Sequence, residues 1–211
     1  MISPLVLAQV CADAYADAPT GFDHIWEFSG THAAHRRVEG ADIIVFRGSK
    51  DAEDWIRDLE AVPIWDSRLG FVHAGFMMGM YDVLAAVALA TVKDIVVTGH
   101  SLGGARARIL AALLAYSGQP VKQCCVFGSP RPGFANLSRI LQKSGTPLAS
   151  YRNYHDPVPL VPAAWVPVIG DPWVHPDAWI SLEEHSAPDD LDPLRDHHCS
   201  RYIDGLTKLG A

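Results

Sequence analysis

Residues 94–104 place the strongest constraint on what this chain can fold into. They read DIVVTGHSLGG, a short apolar run that leads through Gly99-x-Ser101-x-Gly103 into a long alanine-rich segment. A strand that ends in G-x-S-x-G and feeds a helix makes a sharp turn that lifts a serine above a sheet. Strand and helix pass so closely that side chains at positions 99 and 103 would clash, which requires glycine there. The pattern predicts a strand, a tight turn with Ser101 at its apex, and a helix.

The composition is that of one globular domain spanning residues 1–211. Of the 211 residues, 49% are hydrophobic and 19% charged, with no low-complexity tract or repeat. This length suffices for one full core and is short for two domains. A formal net charge of −7 without a basic patch argues against a nucleic-acid partner, and no apolar run is long enough to span a bilayer. No sequence feature specifies an oligomeric state.

The N-terminus and the cysteines bear on the compartment of synthesis. Residues 1–18 lack the basic region of a secretory signal, and their apolar positions follow helical spacing, which favours a first helix of the fold. The four cysteines show no zinc-type spacing. Neighbours on a strand point to opposite faces, so we expect Cys124 and Cys125 to be buried thiols rather than a disulfide pair. Synthesis in a reducing, cytoplasmic compartment is the expectation.

Strand and helix patterns alternate along most of the chain. We predict strands at 24–28, 32–38, 42–46, 94–98, 121–127 and 148–154, and helices at 76–91, 103–116 and 136–143, with a last helix near 202–209. Residues 155–196 have no clear period, and we expect a long ordered loop with one hairpin that buries its tryptophans, Trp165, Trp173 and Trp179. The alternation predicts an α/β fold with a mostly parallel sheet covered on both faces.

Polar residues at strand ends are the candidates for chemistry, because ligands bind beyond the carboxyl ends of parallel strands. Ser101 is one, but a serine hydroxyl is a poor nucleophile until a neighbouring imidazole takes its proton. Asp156 follows the strand at 148–154 and could orient that imidazole. An Asp-Pro pair is commonly only a turn. The chain order Ser, Asp, His of α/β-hydrolases favours the catalytic interpretation.

Four histidines follow Asp156 and are candidates for the base. His175 and His185 fall in the irregular loop, whereas His197 and His198 come just before the last helix. Physical reasoning alone does not separate the last two. A metal site in the run DHHC is a further interpretation, but contiguous residues cannot all point at one ion.

A serine hydrolase also needs donors for the negative charge that develops on the substrate oxygen. The backbone N–H of Leu102 lies at a helix N-terminus, where the helix dipole favours an anion. Ser49 follows the strand at 42–46 and offers both its N–H and its hydroxyl. Losing one such donor costs about 3 kcal/mol of transition-state stabilisation in other hydrolases.

Together these residues resemble the class three lipase family, the fungal-lipase-like branch of the α/β-hydrolases. The motifs cover most of the chain in the family's order and read VFRGS with DWIRDL, HAGF, TGHSLGGA, VFGSPRPG and YRNYHDPVPLVP. The resemblance implies an α/β-hydrolase fold and ester hydrolysis without a cofactor or metal. It implies Ser101, Asp156 and His197 as the catalytic triad, with Ser49 and Leu102 as oxyanion donors. In the family the histidine precedes a helix that carries a tyrosine, which favours His197 over His198.

The chain departs from the family in two places. GARAR replaces the small apolar residues more usual after the serine turn. Residues 50–59 match the position of the family's lid but carry six charged residues, which restricts its apolar face to Trp55, Ile56 and Leu59. We therefore expect a weak lid, transient contact with lipid surfaces, and a preference for short- to medium-chain acyl esters. An acyltransferase on the same triad and a non-catalytic binding module are the alternative functions.

Overall fold

The computed structural model describes residues 1–49, 62–90, 94–163, 173–182 and 194–210. The strands in these ranges are β1 (His24–Phe28), β2 (Thr31–Val38), β3 (Ala41–Phe46), β4 (Pro63–Asp66), β5 (Gly70–His73), β6 (Ile95–His100), β7 (Gln123–Phe127), β8 (Leu148–Asn153) and β9 (Trp179–Leu182). The helices are α1 (Pro4–Asp13), α2 (Ala74–Met77), α3 (Met80–Ala90), α4 (Leu102–Tyr116), α5 (Ala135–Ser144) and α6 (Cys199–Leu209). Two 3₁₀ turns cover Val158–Leu160 and Arg195–His197.

Seven strands form the central sheet in the order β1-β2-β3-β6-β7-β8-β9, and β4 and β5 make a separate hairpin. The pairs β1–β2 and β2–β3 are antiparallel, and every pair from β3 to β9 is parallel. Within the parallel part, Phe46 lies opposite Gly99, His100 opposite Phe127, and Phe127 opposite Tyr151. The carboxyl ends of these strands therefore meet at one edge, and the α/β-hydrolase architecture expected from the sequence is confirmed.

Both faces of the sheet are covered, which explains why β3 reads as a continuous apolar run. Ile44 and Val97 pack into one core with side chains of α3, α4 and α5, while Ile43 and Val96 pack into a second core with α1 and α6. Cys124 belongs to the first core and Cys125 to the second, as expected for neighbours on a strand. All four cysteines are free thiols.

The helix predicted at 76–91 is wrong as one element. It is divided into α2 and α3 at Gly79, whose φ of +68° lies in the left-handed region. A Cβ at this position would overlap the Phe28 carbonyl oxygen and lie 3.0 Å from the carbonyl carbon. The chain bends there because it passes against the end of β1.

The region at 155–196 also differs from its expectation. Its described part contributes β9, which extends the sheet in parallel beside β8 where only a loop and one hairpin were expected. The hairpin itself stays a prediction, because residues 164–172 and 183–193 lie outside the described residues. Trp173 is buried and Trp179 half-buried, whereas Trp165 lies outside the described residues.

The first helix is confirmed as α1, with the Ser3 hydroxyl accepting a hydrogen bond from the Val6 N–H at its N-terminus. Within the described ranges, no helix is long and apolar enough to cross a membrane.

Candidate active site

The turn between β6 and α4 has the crowding that its sequence predicts. Ser101 stands at the apex with φ +59° and ψ −133°, a conformation that costs a non-glycine residue free energy. A Cβ on Gly99 would overlap the Gly103 carbonyl, and a Cβ on Gly103 would overlap the Phe46 carbonyl oxygen. The requirement for glycine on both sides of Ser101 is therefore confirmed.

Asp156 is fully buried and accepts three hydrogen bonds. His197 Nδ1 lies 2.8 Å from its Oδ2, the Tyr202 hydroxyl donates to the same oxygen, and the Val158 N–H donates to Oδ1 at 2.8 Å. Burial opposes ionisation of this carboxyl, but His197 and the donated hydrogen bonds outweigh burial and hold its pKa below the usual range. Asp156 is thus an ionised acceptor for the imidazole.

The two adjacent histidines before α6 have different surroundings. His197 ends the 3₁₀ turn and is 2% exposed, whereas His198 is an exposed residue at the N-terminus of α6. The structure thus brings His197 against Asp156. His175 lies elsewhere, hydrogen-bonded to Arg108, and His185 lies outside the described residues.

The Asp156–His197 pair packs directly against the serine turn. A Cβ on Gly128 would lie 2.7 Å from Asp156 Oδ2 and 3.0 Å from His197 Cε1. The preceding residue, Phe127, accepts a hydrogen bond of 2.9 Å from the Ser101 N–H. Ser101 Oγ and His197 Nε2 are both buried and have no hydrogen-bond partner among the described residues.

The chain segment after β3 passes beside Ser101. A Cβ on Gly48 would lie 3.0 Å from Ser101 Cβ and 2.8 Å from the His100 carbonyl oxygen. Ser49, the next residue, therefore follows a position in contact with the serine turn. Leu102 occupies the first turn of α4, where backbone N–H groups have no acceptor within the helix. Leu102 therefore adjoins Ser101 in the chain, and Ser49 adjoins Gly48, which packs against Ser101.

Sequence reasoning missed Tyr15 and His100. Tyr15 lies beyond the end of α1, and its hydroxyl is 2.9 Å from His100 Nδ1. The imidazole of His100 is 4.6 Å from that of His197 between ring centroids. The available signal was an imidazole at the last strand residue before Ser101, a position that the five-residue pattern leaves unspecified.

Two interpretations of the sequence, a lid and a metal site, concern features other than the geometry around Ser101, Asp156 and His197. The lid expected at 50–59 lies outside the described residues, so its weakness stays a prediction. Among the residues that the structure describes, no group of three or more His, Cys, Asp or Glu side chains is arranged to hold a metal ion.

Comparison with known proteins gives consistent results from sequence and structure. The family model "Lipase (class 3)" matches residues 43–165. Secreted mono- and diacylglycerol lipase 1 of Fusarium solani is 34% identical over 166 residues, which cover 72% of this chain and 47% of the relative. A lipase of Rhizomucor miehei is 34% identical over 136 residues, or 57% of this chain and 37% of the relative. The chain spans about half or less of the length of these curated relatives.

Solved structures show the same likeness in three dimensions. The triacylglyceride lipase of Rhizomucor miehei aligns with a TM-score of 0.64 at 25% identity, over 76% of this chain and 74% of that one. A triacylglycerol lipase described as having a serine protease triad as its catalytic centre aligns with a TM-score of 0.63 at 26% identity, with the same coverage. Because the family model matches more than half of its residues, this chain belongs to the class 3 lipase family.

Proposed function

We propose that this chain hydrolyses carboxylic esters through an acyl-enzyme formed on Ser101. The observation that carries the proposal is the buried Asp156–His197 pair, packed beside a serine turn, with Ser101 Oγ and His197 Nε2 both unpaired. Each buried polar atom without a partner costs about 1–3 kcal/mol of folding free energy. One such atom on the serine turn and one on the 3₁₀ turn before α6 are what a nucleophile and its base require before a substrate arrives.

Acylation begins when Ser101 Oγ attacks the ester carbonyl carbon and His197 Nε2 takes the hydroxyl proton. Asp156 accepts the Nδ1–H of the imidazole and stabilises the imidazolium that forms. The Leu102 N–H and the donors of Ser49 stabilise the negative charge on the carbonyl oxygen. When the bond to the alkoxy oxygen breaks, His197 gives its proton to the leaving alcohol.

Deacylation repeats these roles with water as the nucleophile. His197 takes a proton from water as the water oxygen attacks the acyl carbon, and then returns a proton to Ser101 Oγ as the acyl–serine bond breaks. The products are a carboxylic acid and the free enzyme. No cofactor enters either half of the cycle.

For the substrate we propose short- to medium-chain acyl esters, glycerides included. The relatives' names specify mono- and diacylglycerols and triacylglycerols. The six charged residues in 50–59 leave little apolar surface for a long chain or for lasting contact with a lipid surface. Hydrolysis rates for p-nitrophenyl esters from acetate to palmitate should peak at short or medium length. A maximum at the longest chains, with a jump above their solubility limit, would contradict this preference.

The decisive test is Ser101→Ala. We expect it to abolish ester hydrolysis and leave the thermal unfolding temperature close to that of the unmodified protein. Ser117→Ala, which removes a hydroxyl bonded to the Leu113 carbonyl at the other end of α4, is the matched control and should retain activity. Ester hydrolysis that survives in Ser101→Ala would refute the assignment.

The base is tested by two neighbouring substitutions. His197→Ala should lower kcat/KM by several orders of magnitude, since residues that act with the nucleophile as a unit show losses of that size. His198→Ala should change it little because His198 is exposed and His197, its neighbour, contacts Asp156. The reverse ranking would identify His198 as the base.

A further inference from the structure

His100, the residue before Ser101, connects the candidate base to the N-terminal segment. Its side chain is buried, with Nδ1 2.9 Å from the Tyr15 hydroxyl and Nε2 2.6 Å from the backbone carbonyl oxygen of His197. Tyr15 lies 85 residues earlier in the chain. Three distant segments therefore meet through two side-chain contacts.

The direction of each hydrogen bond follows from what the groups can donate. Burial and the neighbouring His197 lower the pKa of His100 to about 3, so its ring is neutral and carries one proton. The His197 carbonyl can only accept, which places that proton on Nε2. Nδ1 is then an acceptor, and the Tyr15 hydroxyl donates to it. The proton order runs from Tyr15 through His100 to the His197 carbonyl.

We propose that Tyr15 and His100 are positioning residues for the ester hydrolysis proposed above: the Tyr15 hydroxyl, by donating to Nδ1, stabilises the Nε2–H tautomer of His100 that the His197 carbonyl requires, and that N–H holds the backbone of His197 in place. The proposal rests on His197 being the base. In the other tautomer, the Nε2 lone pair would face the carbonyl oxygen. The resulting repulsion would push His197 away from the position it needs between Asp156 and Ser101.

The backbone around His197 shows why such a hold matters. His197 ends a single 3₁₀ turn, in which its N–H donates to the Leu194 carbonyl at 2.9 Å. Asn153 of β8 donates through Nδ2 to the Asp196 carbonyl at 2.7 Å, and His100 of β6 donates to the next carbonyl. Two strands of the sheet thus fix consecutive carbonyls of this turn. A displacement of about 1 Å in a catalytic group can cost on the order of 10²-fold in rate.

Tyr15 also contacts the other side of the site. A Cβ added to Gly48 would overlap the Tyr15 hydroxyl oxygen. The Gly48 N–H interacts with the same oxygen. Gly48 is in turn packed against Ser101 and precedes Ser49, the proposed oxyanion donor. One hydroxyl therefore contacts the oxyanion segment and orients the imidazole that holds the base.

The first test is Tyr15→Phe, which removes the hydroxyl and keeps the ring packed on His100. We expect kcat to fall by roughly 10²-fold, because the base is displaced, with KM within about twofold. Tyr81→Phe is the matched control, since it removes a tyrosine hydroxyl bonded to Asp66 outside the site and should leave both constants unchanged. An unchanged kcat in Tyr15→Phe, or a loss carried by KM, would overturn the proposal.

A double-mutant cycle separates positioning through His100 from general packing. The amide of His100→Gln can donate to the His197 carbonyl without any choice of tautomer. If Tyr15 acts through His100, adding Tyr15→Phe to His100→Gln should change kcat by less than about twofold. Losses that multiply in the double variant would show that Tyr15 acts by another route, contrary to the proposal.

Nitrogen-15 NMR of histidine-labelled protein tests the tautomer without any assay. The unmodified protein should show His100 protonated on Nε2, and Tyr15→Phe should shift it toward a mixture of tautomers. Protonation on Nδ1 in the unmodified protein would refute the proposal even if the variants failed to fold. A protein that showed the expected tautomer but hydrolysed no ester would refute the proposed function and leave the hydrogen-bond order standing.

Discussion

Two polar clusters built around buried side chains differ in whether every buried polar atom has a hydrogen-bond partner. The site cluster comprises Tyr15, His100, Ser101, Asp156, His197 and Tyr202. The anchor cluster comprises Arg108, Ser129, Ser150, His175 and Asp177. In the site cluster Ser101 Oγ and His197 Nε2 lack partners, whereas no buried side-chain N or O atom of the anchor cluster does. The first cluster has capacity left for a substrate, and the second has none.

The anchor cluster is centred on Arg108, which is fully buried in α4. Its guanidinium donates to Asp177 Oδ1 at 2.9 Å, to His175 Nδ1 at 2.8 Å and to the Ser150 hydroxyl. Ser150 in turn donates to Asp177 Oδ2 at 2.6 Å. Arg108 is the second arginine of GARAR, so the departure from small apolar residues supplies the cation that fastens residues 175–177, just before β9, to α4 and β8.

The comparison teaches that burial and polarity alone do not identify a catalytic site. Each cluster contains a histidine, the buried His100 or the half-buried His175, whose pKa is lowered to about 3, with loss of solvent as the main cause in each case. The two clusters differ in whether every buried side-chain N and O atom has a hydrogen-bond partner. A fully paired cluster stabilises the fold, and unpaired atoms beside a strained serine indicate chemistry.

The largest expected effect is that of Asp156→Asn in the site cluster. An amide there cannot stabilise the imidazolium and favours the wrong tautomer of His197, so kcat should fall by about 10⁴-fold. The thermal unfolding temperature and steady-state ester hydrolysis are measured together. Asp177→Asn is the counterpart in the anchor cluster and should lower stability while sparing kcat. Similar kinetic losses in the two variants would erase the distinction between the clusters.

Arg108→Met should produce the opposite result, a loss of stability with kcat nearly retained. Removing one partner of a buried ion pair leaves Asp177 uncompensated and costs about 3–5 kcal/mol of unfolding free energy. Urea denaturation measures this change. Lys122→Met, which breaks an exposed pair with Asp94, serves as the control and should cost at most about 1 kcal/mol. A kinetic defect in Arg108→Met at unchanged stability would place Arg108 in the active site.

The smallest effect expected near neutral pH is a loss of unfolding free energy on acidification, to which one histidine of each cluster contributes. The folded-state pKa values of His100 and His175 are about 3, below the usual histidine pKa of about 6.5. The unfolded chain therefore binds more protons than the folded one below pH 6.5. Unfolding free energy should fall as the pH drops from 6.5 toward 3. In His175→Gln the dependence should be shallower, because one of the two protons is removed. An unchanged slope, from urea titrations across this range, would contradict the lowered pKa of His175.

The sequence by itself determined the features that depend on local crowding and chain order. Glycines at 99 and 103 predicted the serine turn because the backbone of α4 and β3 leaves no room for a side chain. Alternating strands and helices predicted the parallel sheet, and strand ends supplied Ser101, Asp156, Ser49 and Leu102 as candidates. Motif order was enough for the family. The extent of one domain over residues 1–211 stays a prediction.

Only the tertiary structure decided features that depend on distant segments meeting. Physical reasoning from the sequence did not separate His197 from His198, and only the family resemblance favoured His197. In the structure, the 3₁₀ turn before α6 directs His197 to Asp156 and leaves His198 exposed. The break at Gly79 follows from the approach of β1, and β9 joins the sheet because Arg108 and β8 hold the segment around it. Tyr15 and His100 meet across 85 residues. No local pattern encodes such a contact, because its free energy exists only once the sheet has brought both segments together.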